Sequence, residues 1–133
     1  MSNAKPLPVI TTLDRGFWAH ARADRLAVQV CSNCGHAHFP ASPVCPECLG
    51  DVQDWQPVSG AGTLESWAEF HRAYWPGFAA DLPYIACLIR LAEGPVLVSN
   101  LVGNPEKAKL GAPVHVVFEK ITDEITLPKF SLD

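Results

Sequence analysis

The chain has 133 residues, 48% of them hydrophobic and 18% charged, with ten basic residues against fourteen acidic ones and a formal net charge of −4. That length fits one domain, or a small metal module fused to one, and lets the chain bury roughly two thirds of the surface its unfolded form exposes. The acidic balance argues against a nucleic-acid-binding surface, which needs a basic stripe, and no apolar run reaches the length of a membrane span.

Residues 5–12 read as extended. Pro6 and Pro8 exclude a regular helix, and Val9-Ile10-Thr11-Thr12 favour β or irregular backbone. A short helix is predicted from about Asp14 to Ala23. Thr12 or Asp14 can cap it, and Leu13, Phe17 and Ala21 fall on one face with Trp18 beside them. Two aromatic rings are a heavy load for so short a helix, and packing onto the neighbouring domain accounts for at least one of them. Leu26, Val28 and Val30 then alternate, as in a strand with one buried face.

That strand leads into Cys31-Ser32-Asn33-Cys34-Gly35, and ten residues later comes Cys45-Pro46-Glu47-Cys48. Two Cys-x-x-Cys turns at this spacing let one tetrahedral ion collect all four thiols. Gly35 supplies the positive φ such a turn needs, and Pro46 stiffens the second turn. The expectation is a structural zinc ribbon over about residues 28–57, with iron, as in rubredoxins, the alternative that spacing does not separate. A closed four-thiolate shell leaves no position for an activated water, so the metal serves folding rather than chemistry. Two disulfides would suit a small secreted protein, but no apolar signal segment opens the chain, and the thiols are expected to be reduced and the protein cytoplasmic. With four cysteines at hand, His36 and His38 are expected on the surface or in packing. Trp55, where the chain leaves the ribbon, is placed to cover the metal site.

From Gly60 the pattern becomes short β runs punctuated by Gly and Pro. Strands are predicted over 62–70, 83–92, 96–102, 114–121 and 124–127, before a Pro128-Lys129-Phe130 tail, with a helical or irregular stretch near Pro105 to Leu110. Five short antiparallel strands in this order predict a Greek-key barrel of OB type. The fold class is thus mainly β: an N-terminal helix and rubredoxin-like zinc ribbon (13–57), then a five-stranded OB-fold domain (58–130). Cys87, in an alternating apolar run, is expected to be buried. Arg72 to Leu82 breaks the β pattern and carries Tyr74, Trp75 and Phe78. This loop is either a binding lip for a ligand or protein, or a segment folded back over the open end of the barrel.

No nucleophile elbow, phosphate-binding glycine loop or dinucleotide fingerprint is present. His20, His71 and His115 are scattered; His71, at the entry to the aromatic loop, is the one that an independent hydrolase would use. Arg15, Arg22, Arg25, Arg72 and Arg90 are the nearest positive charges to a candidate pocket, and a phosphate-bearing ligand needs two or three of them to converge.

The order of motifs is itself informative. Phe17-Trp18, Cys31-x-x-Cys34-Gly35, Phe39-Pro40, Cys45-Pro46-x-Cys48, Ser59-Gly60-Ala61-Gly62-Thr63, Leu82-Pro83-Tyr84, Glu93-Gly94, Gly111-Ala112-Pro113-Val114 and Leu127-Pro128-Lys129-Phe130 resemble the OB-fold acyl-CoA-associated family with an N-terminal rubredoxin-like zinc ribbon. The resemblance covers residues 13 to 130. It implies a non-catalytic accessory subunit that handles CoA thioesters in lipid, steroid or polyketide-type metabolism. The implied partner is a thiolase-like, aldolase or hydratase protein encoded nearby, which supplies the catalytic residues. Cys31, Cys34, Cys45 and Cys48 are the expected metal ligands. Phe17, Trp18, Arg22, Arg72, Tyr74, Trp75 and Phe78 are the expected acyl-CoA or partner surface. The rival function is a single-stranded nucleic-acid binder, since ribbons and OB barrels both serve that role. Two departures stand out: relatives often read Pro-Pro-Arg where this chain has Pro40-Ala41-Ser42, and Gly-Arg-Gly-Thr where it has Gly60-Ala61-Gly62-Thr63.

Overall fold

The structure, a computed structural model, describes residues 6–74, 76–103 and 105–132. The predicted helix forms as α1, Arg15–Arg22, with Phe17, Trp18 and Ala21 as its buried residues. Asp14 occupies the N-cap position without a side-chain cap bond. Its carboxylate turns back instead and accepts from the Thr11 backbone N–H at 2.7 Å and the Thr11 hydroxyl at 2.9 Å, fixing the approach to the helix. Leu13, expected on the buried face, is 41% exposed. The helix ends where Asp24 takes a positive φ of 59° and the chain turns into the first strand.

Three antiparallel strands form the ribbon sheet in the order β2-β1-β3: β1 is Leu26–Cys31, β2 Ala37–His38 and β3 Gln53–Val58. As the central strand, β1 is buried on both faces, so Ala27 and Gln29 are covered as well as Leu26 and Val28. Burying the Gln29 amide requires a partner, and its Oε1 accepts from the Ser42 N–H at 2.7 Å.

The remaining five strands close a barrel in the order β4-β5-β6-β8-β7: β4 Ala61–Phe70, β5 Tyr84–Leu91, β6 Val96–Val102, β7 Pro113–Lys120 and β8 Thr126–Leu132. Alternation along β5 sends Ile85, Cys87, Ile89 and Leu91 inward. An irregularity between Leu64 and Ser66 marks the bend that lets β4 pair with β7 at its start and with β5 along its length. Two expectations about the end of the chain need correction. The segment predicted as a tail after Leu127 is strand, because Phe130 points into the core with 0% exposure and pairs in register with Val116. The sheet is also not wholly antiparallel: β6 and β8 run parallel at Leu101↔Phe130 and Val102↔Ser131, closing the barrel across the crossover. Short 3₁₀ turns occupy Pro76–Asp81 and Pro105–Lys107.

One continuous apolar cluster runs from Phe17, Trp18, Leu26 and Val28 into Leu64, Ile89, Val114, Ile125 and Phe130, so α1 is the wedge between ribbon and barrel. Among the described residues no helix is long and apolar enough to cross a membrane.

Candidate functional site

The four ribbon cysteines converge. The sulfurs of Cys31, Cys34, Cys45 and Cys48 all lie within 4.8 Å of one another, with Cys31–Cys48 and Cys34–Cys45 each at 3.6 Å. A tetrahedral zinc with bonds of about 2.3 Å requires sulfurs about 3.8 Å apart, so the donor set fits the ion. The two knuckles are built alike. Gly35 N–H donates to the Cys31 carbonyl at 2.8 Å, and Leu49 N–H to the Cys45 carbonyl at 2.9 Å. Backbone N–H groups of Glu47 and Gly50 and the Asn33 amide point at the Cys45 and Cys48 sulfurs at 3.3–3.4 Å. Such donors stabilise thiolate over thiol. The Cys34 N–H draws the Cys31 thiol down to about 6, and the Asn33 amide with the Gly50 N–H lowers Cys48.

The knuckles differ in the residue that follows the second cysteine, where each takes a positive φ. Gly35 takes φ +78° at no steric cost, whereas the second knuckle holds Leu49 at φ 64° with its side chain 73% exposed. A β-carbon is disfavoured there. The signal for this in the sequence is Cys-x-x-Cys-Gly in one knuckle against Cys-x-x-Cys-Leu in the other. His38 is buried, with Nε2 2.7 Å from Gln53 Oε1, and stacks on His36 at 5.9 Å. Both histidines stay outside the thiol cluster.

Trp55 packs on α1 rather than on the thiol cluster. Its ring lies on α1, where a β-carbon at Gly16 would overlap it, and 6.2 Å from the Phe17 ring. Phe17 also meets Trp18 at 4.9 Å and Phe39 at 5.5 Å. Phe17 and Trp18, expected on a ligand or partner surface, are therefore mostly enclosed at 8% exposure each, because the short helix needs both rings to join ribbon and barrel. What they leave open is an apolar hollow of about 200 Å³ bounded by Leu13, Phe17, Trp18, Phe39, Pro40 and Trp55. Asp14 and Ala41 also line it. The Ser42 hydroxyl is engaged by the Val44 carbonyl at 2.6 Å.

Of the candidate arginines, Arg15 and Arg22 meet on one groove, walled by Leu7, Val9 and Ile10 on one side and Thr122, Glu124 and Ile125 on the other. Arg22 donates to the Glu124 carbonyl at 3.2 Å, tying α1 to the β7–β8 turn. The others lie apart: Arg25 reaches His20, Arg90 sits 3.7 Å from Glu65, and Arg72 lies over the Tyr74 ring at 5.3 Å. In the aromatic loop, Phe78 folds onto Tyr84 at 5.8 Å, and Tyr84 stacks on Phe70 at 5.1 Å. Phe78 thus rests against a β5 ring while Tyr74 stays 60% exposed. Trp75 lies outside the described residues. His71 is exposed with Glu69 3.2 Å away, and Cys87 is buried in the barrel, where desolvation raises its thiol to about 11.

Comparison with known proteins extends these observations to the whole chain. Residues 18–53 match the ChsH2 rubredoxin-like zinc ribbon domain, and residues 55–119 the ChsH2 C-terminal OB-fold domain. The chain is 38% identical over 128 residues to a probable enoyl-CoA hydratase alpha subunit of Thermomonospora curvata, covering 95% of this chain but only 39% of that protein. It is 36% identical over 110 residues to a DUF35 domain-containing scaffold protein of Pyrococcus furiosus, covering 80% of this chain and 79% of the relative. Among solved structures, a chain of the Ltp2-ChsH2(DUF35) aldolase superposes with a TM-score of 0.85 at 33% identity, covering 95% of this chain and 98% of that one. A DUF35 protein of unknown function from Sulfolobus solfataricus shares the fold, with a TM-score of 0.65 at 18% identity.

Proposed function

The chain belongs to the DUF35 family of paired zinc-ribbon and OB-fold domains, and from that premise we propose that it is a non-catalytic accessory subunit. It binds a thiolase-like, aldolase or hydratase enzyme and holds or channels that enzyme's acyl-CoA. The observation that carries this reading is the likeness to a chain of the Ltp2-ChsH2(DUF35) aldolase, which extends over 98% of that chain. The chemistry of the residues agrees. The clustered thiols form a closed set suited to structural zinc, held by Cys31, Cys34, Cys45 and Cys48. The zinc fixes the ribbon and takes no part in turnover.

Two openings flank α1 and suit the two ends of a CoA thioester. The apolar hollow at Leu13, Phe39 and Trp55 fits an acyl or pantetheine segment, and the groove holding Arg15 and Arg22 fits phosphate. The test is co-expression of the chain with the enzyme subunit encoded beside its gene, followed by affinity purification and calorimetric titration of the purified chain with acyl-CoA. A stable complex is expected, with thioester binding weakened by R15A/R22A. A chain that neither captures that subunit nor binds acyl-CoA sinks the proposal.

A further inference from the structure

The ribbon carries the most one-sided charge of the chain. Between Arg25 and Arg72 there is no lysine and no arginine, while Glu47, Asp51, Asp54, Glu65 and Glu69 all fall in that span. Glu47, Asp51 and Asp54 lie in the ribbon and are exposed, and none has an ion-pair partner among the described residues. Four thiolates around one divalent ion add two further negative charges at the same end. The second knuckle, residues 44–52, therefore projects a strong negative field.

The same knuckle is also apolar. Val44 is 38% exposed, Val52 56% and Leu49 73%. Leu49 occupies the backbone position that the first knuckle gives to glycine, at φ 64°. Folding alone favours glycine there, and the large side chain points to solvent without packing in the core. Exposed aliphatic anchors rimmed by like charge have the anatomy of a small docking surface.

We propose that the second knuckle is the surface by which this chain docks on the enzyme subunit of its complex, and that the receiving face pairs an apolar recess with a rim of lysine and arginine. The inference rests on the accessory-subunit reading above. Charge selects the occupant. Nucleic acid and anionic lipid carry the same sign as the knuckle and are repelled. A second copy approaching across a two-fold axis brings its own acidic knuckle and is repelled too. A basic protein face is attracted, its association accelerated at low salt.

The test uses the zinc-loaded full chain and the co-purified enzyme subunit, with affinity measured by calorimetry at low and high salt. Hydrogen exchange of residues 44–52 is followed in the free and bound chain. Expected are protection of that segment in the complex and roughly tenfold or greater weakening by E47K/D51K, with a reduced salt dependence. L49G is expected to weaken the complex without lowering the thermal midpoint of the free chain, a pair of effects that a merely structural residue would not give. E106K, a single charge reversal on the distant 3₁₀ turn and half the charge change of E47K/D51K, is expected to leave affinity unchanged. A complex that forms but shows no protection at 44–52 and no loss with E47K/D51K overturns the knuckle proposal alone. Absence of any complex overturns the accessory-subunit reading, and the knuckle proposal with it.

Discussion

The distal ribbon and the barrel reach order by opposite means. Within the barrel, Leu64, Ile89, Leu91, Val114 and Phe130 are at most 2% exposed and interlock from all five strands but β6, which adds Leu97 and Leu101 at 5%. Between Ser32 and Val52 the buried side chains are only His38 and Cys45, with Cys31 at the border. A segment that short cannot assemble an apolar core, so four thiols and the hydrogen bonds aimed at them replace it. The barrel is thus stabilised by area removed from water, and the ribbon tip by a four-thiol set positioned to hold one metal ion.

The strongest way to break this comparison is to remove the ion. Structural zinc contributes on the order of 10 kcal/mol or more to small ribbons, all of it tied to folding of the loop that holds it. Chelation, or Cys45→Ser, is expected to abolish order over residues 32–52 while the amide signals of 61–132 persist in a two-dimensional NMR spectrum. Acid acts in the same direction, because each ligand must be a thiolate and protons compete with the metal as pH falls. If the barrel signals collapse together with the ribbon, the two regions are one cooperative unit and the comparison fails.

The reciprocal experiment is Phe130→Ala. Truncating a fully buried phenylalanine costs about 3–5 kcal/mol, through lost transfer energy and the cavity left behind. Denaturant titration is expected to show that loss, with zinc stoichiometry unchanged in the folded fraction. A smaller effect falls on the joint between the regions. Gly16 lets the Trp55 ring lie flat on α1, and Gly16→Val would push it away at a cost of about 1–3 kcal/mol. Calorimetry of the zinc-loaded variant is expected to resolve two transitions, the ribbon's below the barrel's. A single transition at lower temperature would mean that the Phe17 and Trp18 contacts suffice to couple the regions.

How much of this was legible in the sequence follows the same division. The cysteine spacing located the metal cluster, because tetrahedral coordination leaves few alternatives. Strict alternation located β5 and its inward face, because one face of a closing barrel must be apolar. The tail after Leu127 was misread because Pro128 ends most strands, while here it stands opposite Phe118 and Phe130 carries the strand onward. Two rings on a helix of eight residues point to packing on a neighbouring domain for at least one of them, while the resemblance implies a surface role for both. Only the packing shows that one helix serves two cores. The hollow beside α1 gathers Leu13, Phe39, Pro40 and Trp55 from three separate segments, and no local pattern announces such a meeting.

The smallest expected effect bears on the ribbon itself and asks whether its two knuckles are interchangeable. Both use the residue after the second cysteine at positive φ, glycine in one and leucine in the other. A non-glycine residue in that region costs of order 1 kcal/mol or more, while glycine adds about 0.5–1 kcal/mol of unfolded-state entropy to overcome. Leu49→Gly should therefore raise stability by less than about 1 kcal/mol, and Gly35→Leu should lower it by about that much or more. Thermal midpoints of the two zinc-loaded variants measure both. Opposite signs would establish that Leu49 is held against the preference of its own backbone, as a residue kept for its exposed side chain would be. A Leu49→Gly variant less stable than the native chain would instead mean that leucine packs locally on the knuckle, and the two turns would then differ in support as well as in sequence.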